Sequence, residues 1–214
     1  MIDLSTAFAH PDPSVRLNAA LQAGVQPDVA NLETLVAQCA IESDFQVREM
    51  LTWAIIRLPA AIAVPRVTAE LDRPEPQARS QALHTLSKFR DVASWPAVAA
   101  RLDDADPGVM RTAWYAAVAV VPDDRRDWLA GRLAERLGQG GADAQRSLSR
   151  ALASLGEETI APVLAAAVQH GDAAVREHAG ATRRLLDDPE YGFAASVLAA
   201  RHEVALGRTR SAKG

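Results

Sequence analysis

The sequence predicts an all-α protein, an α-α superhelix of about six stacked helical hairpins with a C-terminal capping helix. Three observations support this fold class. Alanine accounts for 44 of the 214 residues, beside 22 leucines and only 5% aromatic residues. That composition favours closely packed helices over a β-sandwich or a barrel. A short motif recurs along the chain, and most of its copies follow one another at 31 or 32 residues, which is the spacing of a helical hairpin repeat.

Bulk properties exclude several classes of function. The net charge is −4 at pH 7, whereas general nucleic-acid binders carry a basic excess, so we do not expect a nucleic-acid partner. The single cysteine, Cys39, excludes a disulfide framework and thiolate-rich zinc sites. No apolar run is long enough to span a membrane, and the first residues lack the pattern of a signal peptide. We therefore expect a cytoplasmic protein, with no membrane partner and no cofactor.

The repeated motif consists of an acidic residue, often a proline, one variable residue, a small apolar residue and often an arginine. Its small apolar position is occupied by Val15, Val47, Ala78, Val109, Ala144 and Val175, at spacings of 32, 31, 31, 35 and 31 residues. The longer interval contains the glycine-rich stretch 138–141, which we interpret as a loop insertion. Apolar residues follow each motif at helical spacing, so each copy is predicted to open a helix.

The motif has a physical explanation at a helix N-terminus. An acidic residue such as Asp12 or Asp106 is predicted to cap the helix, because its carboxylate accepts hydrogen bonds from free amides of the first turn. The proline that follows, as at Pro13 and Pro107, suits the first helical position, where no amide hydrogen is needed.

A second set of helices is predicted between the motifs. Pro65, Pro96 and Pro162 each precede the apolar residue of the next motif by 13 residues, so the intervening segments repeat in the same register as the motifs. One such helical hairpin cannot bury its apolar face alone, and neighbouring hairpins must stack to form a core.

These residues resemble the HEAT repeat, in particular the short form named for phycobilisome lyases. The resemblance covers residues 3–188 and implies a solenoid in which the motif acids and arginines are structural. The sequence departs from the pattern at Met110 and Gln145, which replace the arginine, and at Gly141, which replaces the acidic cap. HEAT-like repeats also accompany regulators in some bacteria, so the resemblance implies a regulatory partner as one option.

The predicted organisation follows from this period. The solenoid covers residues 1–188, with repeats at about 1–25, 26–58, 59–90, 91–122, 123–156 and 157–188. Residues 189–206 break the repeat but keep Phe193 and Val197 at helical spacing, so they are predicted to form a capping helix. Residues 207–214 are predicted to be a frayed tail.

A candidate binding groove is predicted on the motif helices, which in such solenoids line the concave surface. The positions one, four and five residues after the arginine position carry most of its aromatic and long polar side chains. The candidate binding residues are Glu49, Trp53, His84, Arg111, Trp114, Tyr115, Arg146 and Arg150. Aromatic and arginine side chains together suit a planar or anionic ligand or an anchored peptide. The alternative interpretation is that these side chains, above all Trp53 and Trp114, only pack between repeats.

Other candidate sites are weaker. His178 and His202 do not form a cluster with metal-ligand spacing, so no metal site is predicted. Cys39 aligns with charged residues of later repeats and could be a surface thiol, although no activating partner is evident. Trp95 and Trp128 fall in the first helices of their hairpins and are predicted to pack in the core or on the convex side.

Several functions remain open from sequence. The first is a non-enzymatic binding or scaffold module that holds a protein segment or a small planar or anionic ligand in its groove. The second is an enzyme or an enzyme subunit, since the resemblance extends to bilin lyases and to DNA glycosylases that excise alkylated bases. Glu49 is the only carboxylate near the aromatic positions, and we predict no catalytic residue. A purely structural scaffold, with the groove filled by another copy's terminus, is the third.

Overall fold

The computed structural model describes residues 3–187, and that part of the chain is helical without a strand. The α-helices are α1 (Leu4–Phe8), α2 (Pro13–Val25), α3 (Leu32–Ile41), α4 (Phe45–Ile56), α5 (Ala60–Ala69), α6 (Pro76–Phe89), α7 (Trp95–Ala99), α8 (Pro107–Val120), α9 (Arg126–Ala134), α10 (Ala142–Ser154), α11 (Glu157–His170) and α12 (Ala173–Asp187). Short 3₁₀ turns occur at Val29–Asn31, Glu70–Asp72, Val92–Ser94 and Asp123–Arg125.

The chain forms two compact units, residues 1–129 (unit 1) and residues 130–214 (unit 2), and the boundary falls within α9. In unit 1 the motif helices α2, α4, α6 and α8 stack on one another, and α3, α5 and α7 each pack against the motif helix that follows. In unit 2 the motif helices α10 and α12 pack together and α11 contacts both. The predicted all-α helical-repeat fold, of the HEAT or armadillo-like kind, is confirmed. The count of six repeats and their boundaries stay predictions, and the predicted capping helix 189–206 and tail 207–214 lie outside the described residues.

The motif acids cap their helices at four of the six positions. Carboxylate oxygens of Asp12, Asp44, Asp106 and Asp172 accept hydrogen bonds from first-turn amides at 2.8–3.0 Å. Glu75 makes no such bond, since its carboxylate instead accepts from Arg73 Nε at 3.0 Å. The cap is also absent at Gly141. The four motif aspartates therefore cap their helices, whereas Glu75 does not.

The motif arginines hold the loops that precede their own helices. One guanidinium nitrogen of Arg16, of Arg48 and of Arg79 donates to two loop carbonyls, five and six residues earlier, at 2.8–2.9 Å. Arg176 donates to the carbonyl of residue 171. Gln145 replaces an arginine and still donates to a loop carbonyl, that of Gly140, at 3.2 Å. Arginine is thus structural here, as the resemblance implies.

Two of these arginines also reach the next repeat. Arg16 makes a bidentate pair with Glu42 at 2.7 and 2.8 Å, and Arg79 makes the same pair with Asp104 at 2.8 and 2.9 Å. Glu42 is 2% exposed, and the hydrogen bonds from Arg16 hold its carboxyl pKa at about 2. Both acids lie two residues before a motif cap and accept a hydrogen bond from the amide of that residue, Asp44 or Asp106. These buried pairs fix consecutive loops to each other.

Cys39 corrects one expectation. The thiol is buried, with 6% of the residue exposed, and burial raises its pKa to about 12, so it is not a surface thiol. Later repeats have charged residues at the position that matches Cys39, and such residues usually mark an exposed surface. Glu70, in that position, is itself only 6% exposed, because Arg66 pairs with its carboxylate at 2.8 Å.

Candidate functional site

Glu49 on α4 and His84 on α6 face each other in unit 1. Glu49 Oε1 lies 3.0 Å from His84 Nε2, which suits an ion pair once the imidazole is protonated, although the atoms are not aligned for a hydrogen bond. Burial lowers the pKa of His84 from its ordinary 6.5, against the opposing effect of Glu49. A cavity of about 400 Å³ opens beside the two side chains, with Phe45, Ser80 and Thr112 also on its wall.

The Trp53 side chain is partly exposed, and the rest of it packs against α2. A Cβ atom placed on Gly24 of α2 would lie 2.0 Å from the indole ring, so the ring occupies the space that only glycine leaves free. The guanidinium of Arg57 stacks over the same ring, with its carbon 5.8 Å from the centroid. Trp53 therefore packs α4 against α2, and only part of its indole surface is accessible to a ligand.

The predicted residues of α8 divide between the core and the surface. Trp114 is 3% exposed, and its indole Nε1 donates to the carbonyl of Leu102 at 3.2 Å, so the packing alternative describes it and we leave it out of the candidate site. Tyr115 is 39% exposed, and Arg111 is half-buried. Neither of these two lines the cavity beside Glu49.

A buried polar cluster lies beneath this surface in unit 1. The side-chain amide of Gln81 donates to Thr52 Oγ1 at 2.8 Å, and the hydroxyls of Thr52 and Thr85 are 3.3 Å apart. Thr85 also donates to the Gln81 carbonyl at 2.9 Å. The cluster joins α4 to α6 and leaves the Thr52 hydroxyl well partnered.

Unit 2 contains a cavity of about 310 Å³ between α10 and α12. Its wall combines apolar residues with charged ones, and those that matter for recognition are Arg146, Arg150, Glu177 and Leu185, beside Ala142, Ala174 and Ala181. Arg146 forms an ion pair with Asp143. In the described part of the chain, the exposed guanidinium of Arg150 has neither a hydrogen bond nor an ion pair.

The floor of this cavity is a second buried polar cluster. Ser149 Oγ lies 2.8 Å from Thr182 Oγ1 and 3.0 Å from His178 Nε2. His178 Nδ1 accepts the backbone amide of Gly138 at 3.0 Å, so the proton of the neutral ring is on Nε2, which faces the Gln145 carbonyl at 2.9 Å. Burial lowers the pKa of His178 from its ordinary 6.5, and each ring nitrogen is used by the neutral form.

The structure thus brings together Glu49 with His84 in unit 1, and Arg146 with Arg150 in unit 2. Glu177 and His178 are the functional candidates that sequence reasoning did not select, although both line the unit 2 cavity. Glu177 occupies the same repeat position as Glu49 and Arg146, which was the available signal. His178 gave no comparable signal, because its partners are a hydroxyl and backbone groups.

Other candidate features lie elsewhere. The rings of Trp95 and Trp128 meet edge to face with centroids 5.9 Å apart, and Trp128 remains 48% exposed. Within residues 3–187, no three side chains of His, Cys, Asp or Glu are grouped as metal ligands. No helix in that range combines the length and apolarity required to cross a bilayer.

No family model matches the chain, and no curated protein matches it. Among solved structures, the chain is similar to an engineered protein at 16% identity and a TM-score of 0.47, covering 87% of this chain and 98% of the other. A designed armadillo repeat protein gives 15% identity and a TM-score of 0.44, covering 86% and 98%. A second engineered protein gives 16% and 0.46, covering 90% and 98%. The fold assignment rests on the chain's own repeated helices.

Proposed function

We propose that this protein is a non-enzymatic binding module that holds a segment of a partner protein against its motif helices. The observation that carries the proposal is the cavity of about 310 Å³ in unit 2, where Arg150, without an ion pair to any residue of 3–187, lies beside an apolar wall. An apolar recess with a few polar groups is the usual form of a binding site. Its regulatory role and cytoplasmic location stay predictions.

The composition of the wall favours a protein segment as the occupant. Ala142, Ala174 and Ala181 leave shallow space between α10 and α12, which an inserted apolar side chain can fill at little conformational cost. Arginine without an internal partner is suited to a carboxylate, which it binds through two parallel hydrogen bonds. The unit 1 cavity is less suited to binding a charged side chain, because Glu49 and His84 already face each other.

Closing the cavity tests the proposal. A random dodecapeptide phage library is selected on the full chain, on Ala181→Trp, which fills the cavity, and on Ala173→Trp, a matched control at an exposed position outside it. We expect peptides enriched on the wild type to bind Ala181→Trp at least about tenfold more weakly, a loss of about 1.4 kcal/mol. The control should bind them as the wild type does.

Two outcomes would contradict the proposal. If no peptide is enriched above background, the cavity does not hold a protein segment, and a small planar or anionic ligand becomes the better candidate. If the enriched peptides bind Ala181→Trp and the wild type equally, they bind elsewhere on the chain. Circular dichroism of both tryptophan variants checks that the helices are intact.

A further inference from the structure

Arg150 and Glu177 carry opposite charges on the wall of one cavity, and neither has an ion pair among the residues that the structure describes. Arg150 belongs to α10 and Glu177 to α12, and both are exposed on the wall of the unit 2 cavity. Within residues 3–187 neither side chain has an ion pair, so the two groups lie beyond salt-bridge distance of each other. The neighbouring Arg146 pairs with Asp143, so these two exposed side chains together add no net charge. Among the described residues of its wall, the charges without an ion pair are therefore one positive and one negative group.

A ligand with charges of only one sign would pair with either Arg150 or Glu177 but not with both. An acidic ligand pairs with Arg150 but is repelled by Glu177 as water is displaced, and a basic ligand meets the opposite problem. A ligand that carries both signs satisfies both groups, and it also excludes partners that have the charges in the opposite order. The apolar surface of Ala174, Ala181 and Leu185 requires an apolar group beside those charges.

We propose, building on the proposed function, that the bound segment carries an acidic and a basic side chain on either side of an apolar one. The acidic side chain pairs with the Arg150 guanidinium, and the basic one pairs with the Glu177 carboxylate. The apolar side chain lies against the alanine wall between α10 and α12. This pattern sets both the composition of the partner segment and the direction in which it lies across the cavity.

A charge swap provides the test. The same dodecapeptide phage library is selected on the full-length wild type, Arg150→Glu, Glu177→Arg and the double variant, with Arg183→Glu as a control at an exposed position of α12 outside the cavity. The wild type and the control should enrich an acidic and a basic residue around an apolar residue, in one order. The double variant should enrich the reverse order, and its peptides should bind the wild type at least about tenfold more weakly.

The single variants sharpen the expectation. Arg150→Glu presents two carboxylates and should enrich peptides with two basic residues, whereas Glu177→Arg should enrich peptides with two acidic residues. Both side chains are exposed, so the exchanges should leave the helices intact, which circular dichroism verifies.

The outcomes separate this inference from the proposed function. If all proteins enrich peptides that bind the cavity but have the same charge pattern, the inference is overturned and the proposed function stands. If no protein enriches any peptide, both are overturned. If the purified wild type self-associates in sedimentation and Arg150→Glu is monomeric, a second copy of the chain is the occupant, and that result also overturns the inference.

Discussion

Unit 1 and unit 2 contain buried hydrogen-bonded clusters at matching repeat positions. Two of the three residues differ: serine replaces threonine as the hydroxyl group, and histidine replaces glutamine, which changes the chemistry of the cluster. Thr52, Gln81 and Thr85 in unit 1 occupy the same repeat positions as Ser149, His178 and Thr182 in unit 2. In both clusters the last threonine donates to the carbonyl four residues earlier at 2.9 Å. In both, two hydroxyls meet across neighbouring motif helices.

The difference in chemistry lies in the middle residue. Gln81 has a neutral amide whose donor reaches Thr52, whereas His178 is titratable and also accepts the amide of Gly138. Gly138 belongs to the longer loop before α10, and a Cβ there would lie 2.9 Å from the Val175 nitrogen. The same three positions therefore form a buried cluster in both units, and the histidine of unit 2 also accepts a hydrogen bond from the longer loop.

Truncation of the middle residue of each cluster, His178 or Gln81, should lower the free energy of unfolding most. His178→Ala leaves the Gly138 amide without its buried partner, removes one of the two side-chain contacts of Ser149 and opens a cavity, so we expect the free energy of unfolding to fall by about 3 kcal/mol. Gln81→Ala removes one donor and should cost about 1.5 kcal/mol. Urea titrations followed by circular dichroism measure both values, and equal losses in the two variants would refute the distinction.

The pH dependence of stability should differ between the clusters. Because burial lowers the folded-state pKa of His178 from 6.5, its contribution is complete above about pH 6.5 and is lost as pH falls toward the folded-state pKa. The slope in that window approaches about 1.4 kcal/mol per pH unit. Urea titrations from pH 8 down to about pH 5 should show a shallower fall for His178→Gln than for the wild type.

The matched control for this pH prediction is His84→Gln, which removes the second histidine with a lowered pKa among residues 3–187 and leaves the unit 2 cluster unchanged. Glu42 does not interfere, because its contribution is lost only below its ordinary pKa of 4.5, toward about 2. A His178→Gln profile that follows the wild type at every pH would show that the buried imidazole does not control acid stability.

Substitution of the two threonines should lower the free energy of unfolding least, and by nearly the same amount in the two units. Thr85→Val and Thr182→Val keep the side-chain volume and leave Thr52 and Ser149 with another partner each. Each should therefore lower the free energy of unfolding by about 1 kcal/mol. Amide hydrogen exchange resolves the losses by unit, and values that differ severalfold would show that the clusters are not equivalent.

The fold was predictable because its signals are local. The Asp caps and the spacing of the motif come from adjacent residues, and the structure confirms them at Asp12, Asp44, Asp106 and Asp172. Buried pairs such as Arg16 with Glu42 were not predictable, since the acidic partner lies outside the motif and 26 residues away.

The candidate site was predicted in part. The repeat positions indicated that Arg146 and Arg150 share a face, and both line one cavity. The same positions could not show that Trp114 is buried. Its indole donates a hydrogen bond to the Leu102 carbonyl in the same hairpin, a contact that the repeat pattern does not contain. Burial of a large aromatic depends on its neighbours' volumes, which periodicity does not record.

The loop that holds Gly138 has a consequence for how this protein can be rebuilt by exchanging modules. A hairpin of ordinary length transplanted into this place would lack the Gly138 amide and leave Nδ1 of His178 without a donor. Glutamine at that position, as in Gln81, would suit the shorter hairpin. The inserted loop and the histidine 40 residues further on therefore form one transferable part, and a functional chimera must carry both or neither.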